Sequence, residues 1–293
     1  MQKFHGSIVA LVTPFKDGKV DEKALERMVE WHIAQGTHAI VPTGTTGESP
    51  TLSEAEHTRV VKLVVEVAHG RIPVMAGAGS NNPIEAVHYS QEAEKAGADA
   101  LLHVAGYYNK PSQDGLYAHF KMVHDNCSLP IFVYNIPGRA VVNVLPQTLA
   151  KLSELPRIVG VKDATGDLAR PWIERTLIKK EGFTWLSGED ATQVSYNVAG
   201  GVGCISVTAN IAPALVAKVQ NLTLENKWAE ARELQDKLMP LHQLMFKEPS
   251  PAGAKYAASL LGLCSEEARL PIMPLSEKWR AEIKSEMQKL ELI

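Results

Sequence analysis

The sequence predicts an α/β fold: a single (β/α)8 TIM barrel with a C-terminal α-helical extension. Three observations carry this. Short Val- and Ile-rich runs alternate with longer amphipathic stretches about eight times, as expected of parallel strands joined by crossover helices. Caps and glycines punctuate that alternation. The strand signal then stops after about Leu222 and only helical patterns remain. The barrel is expected over residues 1–224 and the helical extension over 225–293.

The candidate strands are 7–13, 38–42, 72–77, 100–105, 131–135, 158–163, 184–187 and 203–207. Between them, Ser53 with Glu56 forms a capping-box pattern, and Asn82 precedes a proline suited to the first helical position. Gly36, Gly70 and Gly97 each follow an amphipathic stretch, where a helix ends before the next strand. Helical patterns at 225–246, 252–261 and 276–290 make up the extension. A doubly wound open sheet gives the same local alternation, so residue chemistry has to help decide.

A chain of 293 residues exceeds the usual single domain, but α/β barrels of roughly 250 residues form one core. With 45% apolar and 22% charged residues, that core needs no disulfide staples. Thirty basic against thirty-three acidic residues leave a net charge of −3 with no Lys/Arg stripe, so no nucleic-acid partner is expected. Cys127, Cys204 and Cys264 are widely spaced and form no C-x-x-C pair, which favours buried reduced thiols. The apolar run from Ser7 to Val12 is too short for a signal segment and Thr13-Pro14 stops it; no later run approaches the roughly 18 residues of a membrane span. A cytoplasmic location without membrane contact is expected.

In a barrel, chemistry gathers just past the carboxyl ends of the strands. There the sequence places Gly44-Thr45-Thr46-Gly47-Glu48 after strand two, Tyr107-Tyr108-Asn109-Lys110 after strand four, Tyr134-Asn135 with Arg139 at strand five, and Lys162 within strand six. Lys162 interrupts a run that otherwise reads as buried, and lysine is almost never fully buried without a partner. One reading is an end-of-strand lysine whose stem lies along the protein and whose head reaches solvent. The other uses the amine: in an apolar site a lysine more readily becomes neutral and attacks a ketone, and the resulting imine acidifies the neighbouring carbon to give an enamine that forms a carbon–carbon bond.

Imine chemistry also moves protons in a water-poor site, and hydroxyls both donate and accept. Thr45, Thr46, Tyr108 and Tyr134 fit that task as a set, although singly such threonines also satisfy loop backbone and such tyrosines also pack subunit interfaces. The glycine loop at 44–47 lacks the Walker lysine, Gly77-Ala78-Gly79 lacks the third dinucleotide glycine, and the ten histidines form no H-E-x-x-H pattern. No cofactor or metal is required.

Four motifs in order, 44–48, 107–111, 134–139 and 160–163, resemble the pyruvate-dependent class I aldolases and, within them, the dihydrodipicolinate synthase family, over nearly the whole chain. The resemblance implies that Lys162 forms an imine with pyruvate. It implies a proton relay of Tyr134, Thr46 and Tyr108, with Thr45 orienting it and Tyr108 given across a tight-dimer interface. Arg139 would bind the carboxylate of L-aspartate 4-semialdehyde, and the backbone at Gly188 and Ile205 would surround the substrates. Ser49, His57, Asn81, Glu85 and Tyr107 resemble an allosteric site for L-lysine acting as feedback inhibitor, and a homotetramer built as a dimer of dimers is implied. The chain departs from the pattern at Ala105-Gly106, where Thr-Pro is frequent, at Ala140, where Thr often stands, and at Pro50 and Glu54 in the lysine site. The implied reaction yields (4S)-4-hydroxy-2,3,4,5-tetrahydrodipicolinate. A lyase for N-acetylneuraminate or a 2-keto-3-deoxy sugar acid would share Lys162 and Tyr134, and a non-catalytic ligand-binding barrel is the alternative from another class.

Overall fold

The structure, a computed structural model, describes residues 3–293. Eight parallel strands form one sheet: β1 (Gly6–Ala10), β2 (Ala39–Val41), β3 (Met75–Gly77), β4 (Ala100–Val104), β5 (Ile131–Asn135), β6 (Ile158–Asp163), β7 (Thr184–Ser187) and β8 (Gly203–Ser206). The order β2-β1-β8-β7-β6-β5-β4-β3 is that of a barrel cut once. The cut is closed by a parallel bridge between Ile40 and Val74, with Ile40 N–H donating to Pro73 O and Gly77 N–H to Pro42 O, each at 3.0 Å. At this seam a Cβ on Gly77 would meet Thr43 O at 2.5 Å, so only glycine lets the two edges approach.

Helices follow the strands in turn: α1 (Glu22–Ala34), α2 (Glu54–Ala68), α3 (Pro83–Ala96), α4 (Gln113–Asp125), α5 (Pro146–Ser153), α6 (Arg170–Leu177), α7 (Gln193–Val198) and α8 (Pro213–Leu224). The capping box of Ser53 and Glu56 opens α2, and Asn82 caps α3 with Pro83 behind it, as the sequence predicts. Gly97 caps α3 in the left-handed region, whereas Gly36 and Gly70 stand one residue past the caps of α1 and α2, which are Gln35 and His69.

Strands five to seven coincide with their predicted bounds, while β1 and β3 are shorter, for local reasons. Beyond Ala10, the Asn210 side chain takes over the ladder: its Nδ2 donates to Ala10 O and its Oδ1 accepts from Val12 N–H. Before Met75, Pro73 has no N–H and Val74 gives its own to Asp99. The sequence reading missed a small hairpin, Phe15–Lys16 with Lys19–Val20, turned at Asp17-Gly18 with both residues at positive φ.

The barrel interior is filled by Ile8, Ala10, Ala39, Val41, Met75, Leu102, Phe132, Tyr134, Leu186 and Ile205, and Phe4 packs edge-on against Phe132 at 5.5 Å. The extension consists of α9 (Trp228–Leu244), α10 (Ala252–Leu260) and α11 (Glu277–Lys289). Its Leu241, Met245, Ala254, Ile283 and Met287 join Val9, Leu25 and Ile40 in one cluster, so it shares a core with the barrel. Cys127 and Cys204 are buried free thiols, whereas Cys264 is only partly buried, because it lies in the loop that leaves α10. Among the described residues, no helix is long and apolar enough to cross a membrane.

Candidate active site

Parallel register places Tyr134 of β5 directly beside Lys162 of β6, and Leu186 of β7 on its other side. Strand neighbours in register point to the same face, here the inside of the barrel. Lys162 is 6% exposed, and its Nζ lies 4.1 Å from the centre of the Tyr134 ring. Of the two readings of this lysine, a head reaching open solvent is ruled out: the buried amine stops at a cavity. Gly188 makes room for it, since a Cβ there would stand 3.1 Å from Lys162 Cε and 2.8 Å from Ala164 Cβ.

The cavity at Lys162 has a volume of about 390 Å³, and its walls include Thr45, Thr46, Tyr134, Arg139 and Gly188. Arg139 comes from a one-turn helix, Pro137–Ala140, just past β5. Ile205 lies beneath, in the barrel interior, and does not line the cavity. Tyr108 is not in it either: held at φ 68° and 89% exposed, its ring projects away from its own barrel.

A second cavity of about 460 Å³ adjoins the first and is lined by Ser49, Glu85 and Tyr107, with Tyr89 beside them. Thr45, Tyr134, Ile136 and Arg139 line both, and form the wall between them. Of the remaining predicted lysine-site residues, Asn81 stands just behind, its Nδ2 donating to Tyr107 O at 3.3 Å. His57 is buried, not on a solvated helix face; its Nε2 bonds Gly77 O at 2.9 Å and its ring stacks on Tyr89 at 4.1 Å. Burial lowers its pKa to about 4, so the ring is neutral near pH 7.

The reading by strand ends missed part of the lysine cavity. Asp190, just past β7, is buried, with its carboxylate accepting from Ser206 Oγ and from the N–H groups of Val207 and Thr208. His242 and Phe246 reach the cavity from the extension, and His242 Nδ1 bonds Thr208 Oγ1 at 2.8 Å. Asp190 was findable from its place after strand seven, but nothing local marks His242. Next to the lysine, burial raises the pKa of Asp163, whose Oδ2 lies 4.0 Å from Arg170 Nε. Among the described residues, no three metal-binding side chains converge.

Fold and site together define a class: α/β-barrel enzymes built around a cavity-facing lysine. Comparison with known proteins narrows it. The profile of the dihydrodipicolinate synthetase family matches residues 3–290, and the chain belongs to that family. A 4-hydroxy-tetrahydrodipicolinate synthase of Parvibaculum lavamentivorans is 56% identical over 290 residues, 99% of each chain. Among solved structures, the chloride-inhibited dihydrodipicolinate synthase of Acinetobacter baumannii in complex with pyruvate is 44% identical with a TM-score of 0.95, covering 99% of each chain. The enzyme of Cyanidioschyzon merolae with lysine bound is 33% identical with a TM-score of 0.97, covering 100% of each.

Proposed function

We propose that this chain is a 4-hydroxy-tetrahydrodipicolinate synthase, a lyase that condenses pyruvate with L-aspartate 4-semialdehyde in lysine and diaminopimelate biosynthesis. The observation that carries the reading is the buried Lys162 amine at the mouth of a cavity, with a tyrosine ring and two threonines around it. Lys162 attacks the pyruvate ketone and loses water to give an imine; loss of a methyl proton gives the enamine, which adds to the aldehyde. The amine of the semialdehyde then displaces Lys162 and closes the ring. No cofactor enters these steps.

In this scheme, Tyr134 and Thr46 move protons at the imine, Thr45 orients them, and the main chain at Gly188 borders the substrates, with Ile205 packed beneath. Arg139, on the cavity wall, offers a planar fork of donors to the semialdehyde carboxylate. Tyr108 completes the relay of a neighbouring subunit, a role supported by its outward-facing ring. Trp172 and Ile173 on α6 and Val198 on α7 are large apolar side chains left exposed, in keeping with a homotetramer. The second cavity is read as a feedback site for L-lysine, with Glu85 for an ammonium group, Ser49, Asn81 and Tyr107 as polar partners, and His57 behind Tyr89. A barrel over 1–224, an extension over 225–293 and a cytoplasmic location complete the proposal.

Borohydride reduction in the presence of pyruvate, followed by peptide mass spectrometry, tests it. The expected adduct is on Lys162, with turnover requiring aspartate semialdehyde. An adduct on another lysine, or cleavage of a sugar acid in preference to the condensation, overturns the assignment.

A further inference from the structure

A second buried lysine, Lys255, stands in α10 of the extension, 0% exposed. Its Nζ lies 2.5 Å from Glu48 Oε1, donates to Glu267 O at 2.6 Å, and sits 4.0 Å over the Phe15 ring. Glu48 is buried too, and its other oxygen accepts from the Arg269 N–H at 2.9 Å. Both of its anchors thus come from the C-terminal part of the chain.

Glu48 ends the loop that carries Thr45 and Thr46. It is held at φ 56°, a left-handed conformation that a side chain other than glycine adopts only when its surroundings impose it. Its N–H donates to Thr45 O at 3.1 Å, closing the turn around Thr46, and the next carbonyl back, Gly47 O, accepts from Thr13 Oγ1 at 2.6 Å. Moving the Glu48 carboxylate therefore moves the turn whose threonines line the lysine cavity.

A buried ion pair is a weak device for net stability, because desolvation offsets the attraction, but it can fix one geometry among several. An apolar pair of equal volume would fill the space without fixing where the carboxylate, and hence the turn, must lie. We propose that Lys255 is a positioning residue: through Glu48, it holds the Thr45-Thr46 turn in register with Lys162, so that the helical extension sets the geometry of proton transfer at the imine. The proposal rests on the Schiff-base reading above and deepens it.

The test compares wild type with Lys255→Met and with the double variant Glu48→Gln/Lys255→Met, measuring kcat, pyruvate KM, the rate of borohydride-trappable imine formation, and the urea midpoint. Lys255→Met leaves a buried carboxylate unpaired and lowers the midpoint. The double variant removes that charge, while the oxygen of the substituted amide still accepts from the Arg269 N–H, and regains most of the midpoint. If Lys255 positions the turn, kcat and the imine rate fall about 10–100-fold in both variants, the scale expected for sub-ångström to ångström misplacement, with pyruvate KM changed far less. If kcat recovers with the midpoint in the double variant, the pair is structural only and the proposal is overturned. Should Lys255→Met fail to fold, the double variant decides by the same criterion. Failure of wild type to trap pyruvate overturns the underlying reading; normal trapping in wild type with an unchanged rate in the variants overturns positioning alone.

Discussion

Lys162 and Lys255 are the two buried lysines among the described residues, and their surroundings differ in kind. Lys255 is enclosed: a carboxylate, a carbonyl oxygen and an aromatic face occupy its ammonium, and neither of the two cavities described above is lined by it. Burial pulls its pKa down and Glu48 pulls it back. Lys162 forms no salt bridge among the described residues; an aromatic face lies on one side and open space on another. Burial alone thus does not mark a reactive amine. What separates the two is a carboxylate partner, which favours the charged form, against a cavity that admits a carbonyl compound.

The largest expected effect breaks the comparison outright. Lys162→Met should lower turnover at least about a thousandfold while leaving the urea midpoint near wild type or above it, because an apolar side chain replaces a buried polar one. Lys255→Met should destabilise by about 3–5 kcal/mol, the scale for stranding one charge of a buried pair. Steady-state rates and urea unfolding of both variants read this directly. Equal stability losses would mean that Lys162 is as structural as Lys255.

Next, Arg139→Ala asks whether the cavity at Lys162 has a second substrate edge. It should cost about 1.5–3 kcal/mol in kcat/KM for aspartate semialdehyde, the scale of a charged hydrogen bond, with pyruvate trapping little changed. Equal losses in both would place Arg139 in general support of the site. Gly188→Ala then tests the room around the amine. Its Cβ meets Lys162 Cε and Ala164 Cβ, so a loss of about 1–3 kcal/mol in stability and a slower imine rate are expected. A neutral substitution would mean the pocket wall yields freely.

These expectations also mark what was legible beforehand. Lys162 could be found because a charged residue broke an apolar strand, and Thr45, Thr46, Tyr134 and Arg139 because a barrel gathers its strand ends. Lys255 could not: within its helical stretch it reads as an ordinary surface lysine, and its partner lies in a loop near the other end of the chain. His242 and Phe246 escaped for the same reason, since a search of strand ends never looks to an appended helix. Tyr108 stands exposed in a loop after β4 where both it and Lys110 take positive φ, which their side-chain types do not announce.

The last expected effect concerns a third kind of buried titratable group, the neutral imidazole. His57 has a folded-state pKa of about 4, and His32 and His103 of about 3, all lowered chiefly by burial. The folded chain therefore binds fewer protons than the unfolded chain between those values and 6.5, so stability rises with pH across that window and is lost on acidification, by up to about 1.4 kcal/mol per pH unit per histidine. Replacing His57 with glutamine should flatten the slope between pH 6.5 and 4 by up to that amount. An unchanged slope would mean that His57 titrates alike in both states.

The partition formed by Thr45, Tyr134, Ile136 and Arg139 has one more consequence, and it is thermodynamic. If a compound in the larger cavity shifts that partition and weakens pyruvate binding by some factor, pyruvate must weaken that compound's binding by the same factor, whatever the rates do. Titrating either ligand calorimetrically in the presence of the other yields one coupling free energy, obtainable from both directions, and the two values must agree.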